Sequence, residues 1–252
     1  ANTGALFQVF LLSIRLRLKH FFLRTFSFKR ARRLLWEYRD FPKYDLVSNV
    51  FNSVSSNIPV ILLSYFFIED IAGYFSMALT LLFIPMSIIG TSLGQLYYRD
   101  ACELHAKGES VGTLTMKIFV PTYIGCSIFM LGLIWGGETV FGFLLGSKWA
   151  TVGKYATYLS LWLLLVSSIS PLSSIFYVKN KQRINLCINV TALVLRIVVL
   201  FAGGYYLQSS DWTIVLFGIV SFLLFVVQGA IIKKIAGVVF SNKVLFYLSG
   251  MT

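Results

Sequence analysis

RLRLKHFFLRTFSFKRARRLLWEYRDFPK, residues 15–43, separates a short apolar tail from about two hundred residues of almost unbroken hydrophobic sequence. It holds ten of the chain's 22 lysines and arginines, and only Glu37 and Asp40 oppose them. Arg15, Arg17, Lys19, Arg24, Arg30 and Arg32 point around most of a helical circle, so the run makes no clean amphipathic surface helix. In a water-soluble protein such a run reads as an arm for nucleic acid. Next to this much apolar sequence it reads instead as a topological anchor that touches anionic lipid head groups and fixes which way a membrane domain faces. No nucleic-acid partner is expected.

Composition carries the same message outward. Of 252 residues, 57% are hydrophobic and 13% charged, with a mean hydropathy of +0.78. A soluble domain carries about 25% charged residues; half that share cannot cover a surface facing water. The expected class is an all-α polytopic membrane protein. Cys102, Cys126 and Cys187 are scattered, and His20 and His105 stand apart, so neither a disulfide framework, a metal site nor a cofactor is indicated. The first apolar stretch, residues 5–14, is too short to cross about 30 Å of hydrocarbon. Residues 1–14 therefore read as the end of a truncated transmembrane helix, and the chain as the C-terminal fragment of a longer one.

Beyond the basic run, hydropathy predicts six spans at about 44–68, 73–97, 115–135, 155–178, 185–207 and 213–232. Four contain a proline: Pro59, Pro85, Pro121 and Pro171. Residues 98–112 read as a polar loop, and 136–153 as a loop or short interfacial helix. Gly90 and Gly94 sit at the spacing that permits close helix packing. With the basic run placed in the cytoplasm and the loops alternating, 19 of the 22 basic residues fall inside, Lys148 and Lys154 fall outside, and Arg196 falls within a span. That asymmetry is a strong positive-inside signal. The domain reading is a truncated helix end at 1–14, a connector at 15–43, a six-helix lobe at 44–232 and a cytoplasmic tail at 233–252.

Catalytic constellations are absent from the sequence. It has no paired carboxylates at metal spacing, no Ser/His/Asp grouping and no glycine-rich phosphate loop, so no enzyme is expected. Glu69 and Asp70 read as a solvated turn. Arg196 is different. It lies 11 residues beyond Asn185, about 16 Å into its span at 1.5 Å per residue. A midplane arginine is expensive and normally faces a bundle interior or a water-filled cavity. Asn185, Asn189 and Arg196 return to nearly one side of a helix. Two roles are open to Arg196: contact with a substrate, or pairing with a backbone carbonyl or buried polar group. Asn49, Asn52, Ser53 and Ser56 share a face of the first span, and either cavity lining or interhelical hydrogen bonding would suit them. The substrate-binding candidates are thus Arg196, Asn189, Asn185, Asn49, Asn52 and Ser56.

FPKYDLVSNVFNSVSSNIPVILLSYFF (41–67) and AGYFSMALTLLFIPMSIIGTSLGQLYY (72–98) resemble the start of the C-terminal half of bacterial polysaccharide flippases. These are the O-antigen and capsule transporters of the multidrug/oligosaccharidyl-lipid/polysaccharide exporter superfamily. FGFLLGSKWATVGKYATYLSLWLLLVSSISPLSSIFYVKNKQRINLCINV (141–190) has the same look, with Gly146, Trp149, Pro171 and the basic turn before Asn185. The resemblance implies two six-helix lobes around a cationic cavity, the first lobe being absent here. It also implies alternating-access transport of undecaprenyl-diphosphate-linked oligosaccharide across the bacterial inner membrane, beside polysaccharide polymerase machinery. A drug or cation antiporter of the same superfamily, and a non-transporting membrane component of polysaccharide synthesis, are the alternatives.

Overall fold

Apolar residues in unbroken runs of twenty or more leave the backbone one economical solution in lipid, the helix, because every N–H and C=O is then satisfied within the segment. A computed structural model describes residue 33 and residues 40–238. Our readings of 1–14, of most of 15–43 and of 239–252 lie outside those residues. The chain divides into two units, Ala1–Asp45 and Leu46–Thr252. The helices are α1 (Asp40–Phe66), α2 (Glu69–Ala106), α3 (Gly112–Leu145), α4 (Ala150–Ile169), α5 (Ile175–Val178), α6 (Gln182–Ala202) and α7 (Ser210–Ala236). Short 3₁₀ turns at Ser147–Trp149 and Ser170–Ser174 precede α4 and join it to α5, and a π-helical turn, Gly203–Leu207, extends α6. Six segments are long and apolar enough to cross a membrane, and the described residues include no strand. The all-α, six-span reading holds.

Helix ends run further than hydropathy implied. At 38 residues α2 is about 57 Å long, nearly twice the hydrocarbon thickness. Its last three turns take up most of the stretch read as a polar loop. They are supported there by Lys107 donating to Glu103 at 2.6 Å, and they stop where Gly108 adopts φ +73°. Residues 136–145, read as loop or interfacial helix, continue α3 until Gly146 at φ +97° ends it. Glu69 and Asp70 occupy the first turn of α2, where a negative charge suits the helix dipole. Of the four span prolines only Pro171 interrupts its helix; α1, α2 and α3 run on through Pro59, Pro85 and Pro121.

The fourth span is the post around which the lobe is built. Of its most apolar stretch 67% is buried, against 17–28% in the other five. Small residues make this possible. α3 and α4 cross at Gly137 and Gly153, where a Cβ on Gly153 would lie 2.6 Å from Glu138 Cα and one on Gly137 would lie 2.8 Å from Thr157 Oγ1. Thr157 Oγ1 reaches across to donate to the Leu133 carbonyl at 3.1 Å. The Gly90/Gly94 pair instead meets Pro171 at ordinary contact distances of 3.6–3.9 Å. One apolar cluster, with Phe75, Leu82, Leu159, Leu163 and Phe217, surrounds the middle of the post; a second, with Tyr97, Ile169, Phe176 and Ile232, seals its Pro171 end.

Gly153→Val should therefore destabilise the lobe by about 1–3 kcal/mol through overpacking against backbone that cannot retreat. Gly132→Val, on an open face of α3 with no atom within 4 Å, should melt like the parent. Thermal unfolding of both variants in detergent measures the difference, and equal melting temperatures would refute a tight crossing.

Candidate functional site

α1 approaches the rest of the lobe along one stripe. Ser48, Ser55 and Leu62 follow one another at seven-residue intervals, and each is buried, together with Pro59 and Leu63. The stripe meets α6 and changes character along its length. Toward the end of the bundle that carries Lys179, Lys181 and Arg183 it is polar. There Asn189 Nδ2 donates to Ser48 Oγ at 2.7 Å and Asn185 Nδ2 donates to the same oxygen at 3.2 Å. Toward the opposite end it is apolar. Phe66 covers Gly204, where no Cβ would fit, and stands edge-on to Phe201 with ring centroids 5.2 Å apart.

Arg196 sits between these halves and is only 5% exposed. Its Nη1 donates to Ser55 Oγ at 2.8 Å and, more weakly, to the Ser55 carbonyl at 3.4 Å; its Nε donates to Ser221 Oγ of α7 at 3.2 Å. The guanidinium lies over Trp162 of α4 and Phe217 of α7, 5.2 and 5.5 Å from the ring centroids. Four helices thus meet on one side chain. The carbonyl contact has a cause in the sequence. Proline has no N–H, so Pro59 leaves the carbonyl four residues earlier, that of Ser55, without its helical donor. In lipid a neighbouring helix must supply one, and Arg196 does. Among the described residues no carboxylate pairs with the arginine.

Magnitudes explain why this charge tolerates its place. Hydrogen bonds to a charged group contribute about 1.5–3 kcal/mol each, and a desolvated cation–π contact about 2 kcal/mol. Taking an ion out of water costs several kcal/mol even after relaxation. The two sides are comparable, so the arginine holds only while its full set of partners is present. Donors nevertheless outnumber acceptors. Trp162 Nε1 is buried with no acceptor, and Arg196 Nη2 has no hydrogen-bond partner among the described residues.

The structure therefore brings Asn185, Asn189 and Arg196 together on one seam and puts Asn49, Asn52 and Ser56 elsewhere. Those three are exposed, along with Ser53 and Asn57. Ser56 and Asn57 bond back to carbonyls of their own helix, at 2.9 and 2.8 Å. Asn49 and Asn52 make no side-chain hydrogen bond among the described residues. α2 continues the pattern with exposed Thr80, Ser87, Thr91, Ser92 and Gln95. Aliphatic side chains such as Val50, Ile61, Ile84 and Ile88 are exposed on the same two helices, while the mid-span residues exposed on α3, α6 and α7 are apolar apart from Thr191, among them Ile124, Ile128, Val194, Val198, Ile219 and Leu223. Interhelical bonding thus falls to Ser48, Ser55 and Ser221, which the sequence reading did not single out. The seven-residue step from Ser48 through Ser55 to Leu62 was the signal that could have found the first two.

At the opposite end of the bundle an open cleft of about 360 Å³ is lined by Trp135, Glu138, Thr139, Lys154, Thr157 and Tyr158, with Lys154 paired to Asp211 at 2.7 Å. Among the described residues no three His, Cys, Asp or Glu side chains gather as a metal centre would require.

A multi-pass α-helical membrane protein, with unpartnered amides on the exposed side of its first helix, is the class these features define. The chain matches the model of a family described as polysaccharide biosynthesis protein over residues 3–154, and it belongs to that family. The match takes in α1, α2 and α3 and ends early in α4, short of Arg196. No curated protein matches the chain, and no solved structure does.

The Ser55 contacts predict a sharp contrast between adjacent residues. Ser55→Ala should cost about 1.5–3 kcal/mol, the range for a hydrogen bond to a charged group. Ser56→Ala, on the exposed face, should stay within about 0.5 kcal/mol of the parent. Denaturant unfolding in mixed micelles reads both, and a Ser56 effect equal to that of Ser55 would contradict the burial pattern.

Proposed function

We propose that the protein carries a lipid-linked oligosaccharide, of the undecaprenyl-diphosphate type, across the bacterial inner membrane by alternating access, with its C-terminus in the cytoplasm. It makes and breaks no covalent bond. The observation that carries this reading is the exposed polar face of α1 and α2. Asn49 and Asn52 present unpaired amides in helices that match a membrane span, and an unsatisfied group in hydrocarbon costs several kcal/mol. Such a face needs water, a second lobe or a sugar beside it. Asn and Ser offer both donors and acceptors, as glycan hydroxyls require. Membership of the polysaccharide biosynthesis family supports the same cargo.

Arg196 sets the sign of the charge. It is the one ionised side chain near the middle of a span among the described residues, and a fixed positive charge favours an anionic cargo over the organic cations of a drug antiporter. In this reading Asn49, Asn52 and Ser56 meet the sugar, while Arg196, Asn189 and Asn185 form the anion-responsive side of the site. A second lobe, as the family resemblance implies, closes the cavity, and polysaccharide polymerase machinery receives the cargo.

In cells that depend on the complete protein, replacing Asn49 and Asn52 together by leucine should reduce surface polysaccharide at least tenfold. Membrane abundance should stay normal, and lipid-linked sugar should collect on the inner leaflet. Blotting of surface glycan and of the protein reads the two arms; undiminished glycan from a variant present at normal level would rule out the polar face as the cargo's path.

A further inference from the structure

The seam between α1 and α6 holds more than a binding residue. Pro59 has removed the backbone bond that would stiffen α1 at Ser55, and Arg196 has taken its place. The same guanidinium is shared with Ser55 Oγ and Ser221 Oγ, both neutral acceptors. Trp162, whose ring lies under the guanidinium, has a buried Nε1 without an acceptor, and Nη2 of the arginine donates to neither serine. This local surplus of N–H donors around a positive charge complements an oxyanion, which accepts charge-assisted bonds stronger than those of a serine hydroxyl. On one side of Pro59 the seam consists of two asparagines converging on Ser48, bonds that water can replace. On the other side Leu62 and Leu63 are buried in the apolar cluster and Phe66 is fitted against Gly204 and Phe201, contacts that water cannot replace.

We propose that Arg196 couples capture of an anion to bending of α1 at Pro59. A diphosphate oxygen arriving at the seam draws the guanidinium from Ser55; the Ser55 carbonyl loses the donor that Arg196 gave it, and the polar half of α1 swings away while the half beyond Pro59 stays seated. Ser48, Asn185 and Asn189 form the latch that the motion opens. Arg196 is a switch as well as a contact, and its burial in the closed form is what makes cargo binding felt by the helix. This inference rests on the anionic cargo proposed above.

Leu193 is buried on the same face of α6 and takes no part in the latch, so a thiol there reports opening. The test uses the complete protein in lipid nanodiscs, with Leu193→Cys introduced and Cys102, Cys126 and Cys187 replaced by serine. Inorganic pyrophosphate should accelerate maleimide alkylation of that thiol by about fivefold or more, the lower end of typical site-to-site coupling. Arg196→Gln should remove the acceleration and leave the thiol fast in both conditions. Pro59→Ala restores the backbone donor to Ser55 and should hold the thiol slow in both. If Arg196→Gln does not fold, the pyrophosphate response and its loss in Pro59→Ala carry the test alone. Acceleration that survives either substitution overturns the coupling but leaves an anionic cargo standing. Pyrophosphate that binds, by calorimetry, without changing the rate overturns the coupling alone; pyrophosphate that does not bind at all overturns both readings.

Discussion

A proline inside a membrane helix leaves a carbonyl that lipid cannot satisfy, and much of this lobe is arranged around one such carbonyl. Pro59 frees the oxygen of Ser55, and the donor that answers it comes from Arg196, two-thirds of the way along α6. An arginine in that place has to be solvated by protein. Ser55 and Ser221 supply oxygens, and Trp162 and Phe217 supply aromatic faces. α1, α4, α6 and α7 therefore have to lie where those four side chains can converge. The requirement is mutual: without the arginine α1 has an orphaned carbonyl, and without α1 the arginine has an unsolvated charge.

The second constraint is the α4 post. Lipid tails are as apolar as leucine, so helices associate in a membrane by close van der Waals fit rather than by hydrophobic burial. The glycine crossing of α3 and α4 provides that fit, and five spans are left free to show one face each to their surroundings. Which face each one shows then divides the lobe. α3, α6 and α7 turn aliphatic side chains outward, as lipid demands. α1 and α2 mix exposed aliphatic side chains with polar ones; the hydroxyls of α2 bond back to their own helix, whereas the amides of Asn49 and Asn52 find no partner among the described residues. A lobe packed tightly at its centre, with unpartnered amides on α1, fits the rocking against a partner that the proposed function requires.

Hydropathy made the spans and the lone midplane charge legible, because burying a charge or breaking an apolar run carries a cost that no tertiary detail removes. Details that depend on phase were not legible. The serine-rich half of α1 offers polar residues on nearly every side, so periodicity alone assigned the contact to Asn49, Asn52 and Ser56, whereas burial falls one residue away on Ser48 and Ser55. The centrality of α4 was hidden for a related reason: its hydropathy of 1.8 equals that of α2, and transfer energy does not distinguish lipid from protein interior. Helix ends were missed because α2 and α3 continue beyond the hydrocarbon, where local pairs and caps decide. The stop at Gly146 needed its positive φ to be seen. Proline was a poor guide to breaks, since three of four are absorbed by the helices that contain them.

The partners of Arg196 bear on how the charge could serve the transport proposed above. A carboxylate would hold the guanidinium firmly; removing one partner of a buried ion pair costs about 3–5 kcal/mol, which makes such a pair a permanent strut. A hydroxyl and a carbonyl hold it with less, and the carbonyl contact, at 3.4 Å, is long for a hydrogen bond. In the proposed reading a diphosphate, with one negative charge on each phosphate, can outbid them where it could not outbid an aspartate. The same weakness explains the aromatic floor: Trp162 and Phe217 stabilise the cation from below while leaving its edge donors free to change acceptors. The capture and release proposed for Arg196 would need this balance, tight enough to keep the charge in the membrane and loose enough to yield it.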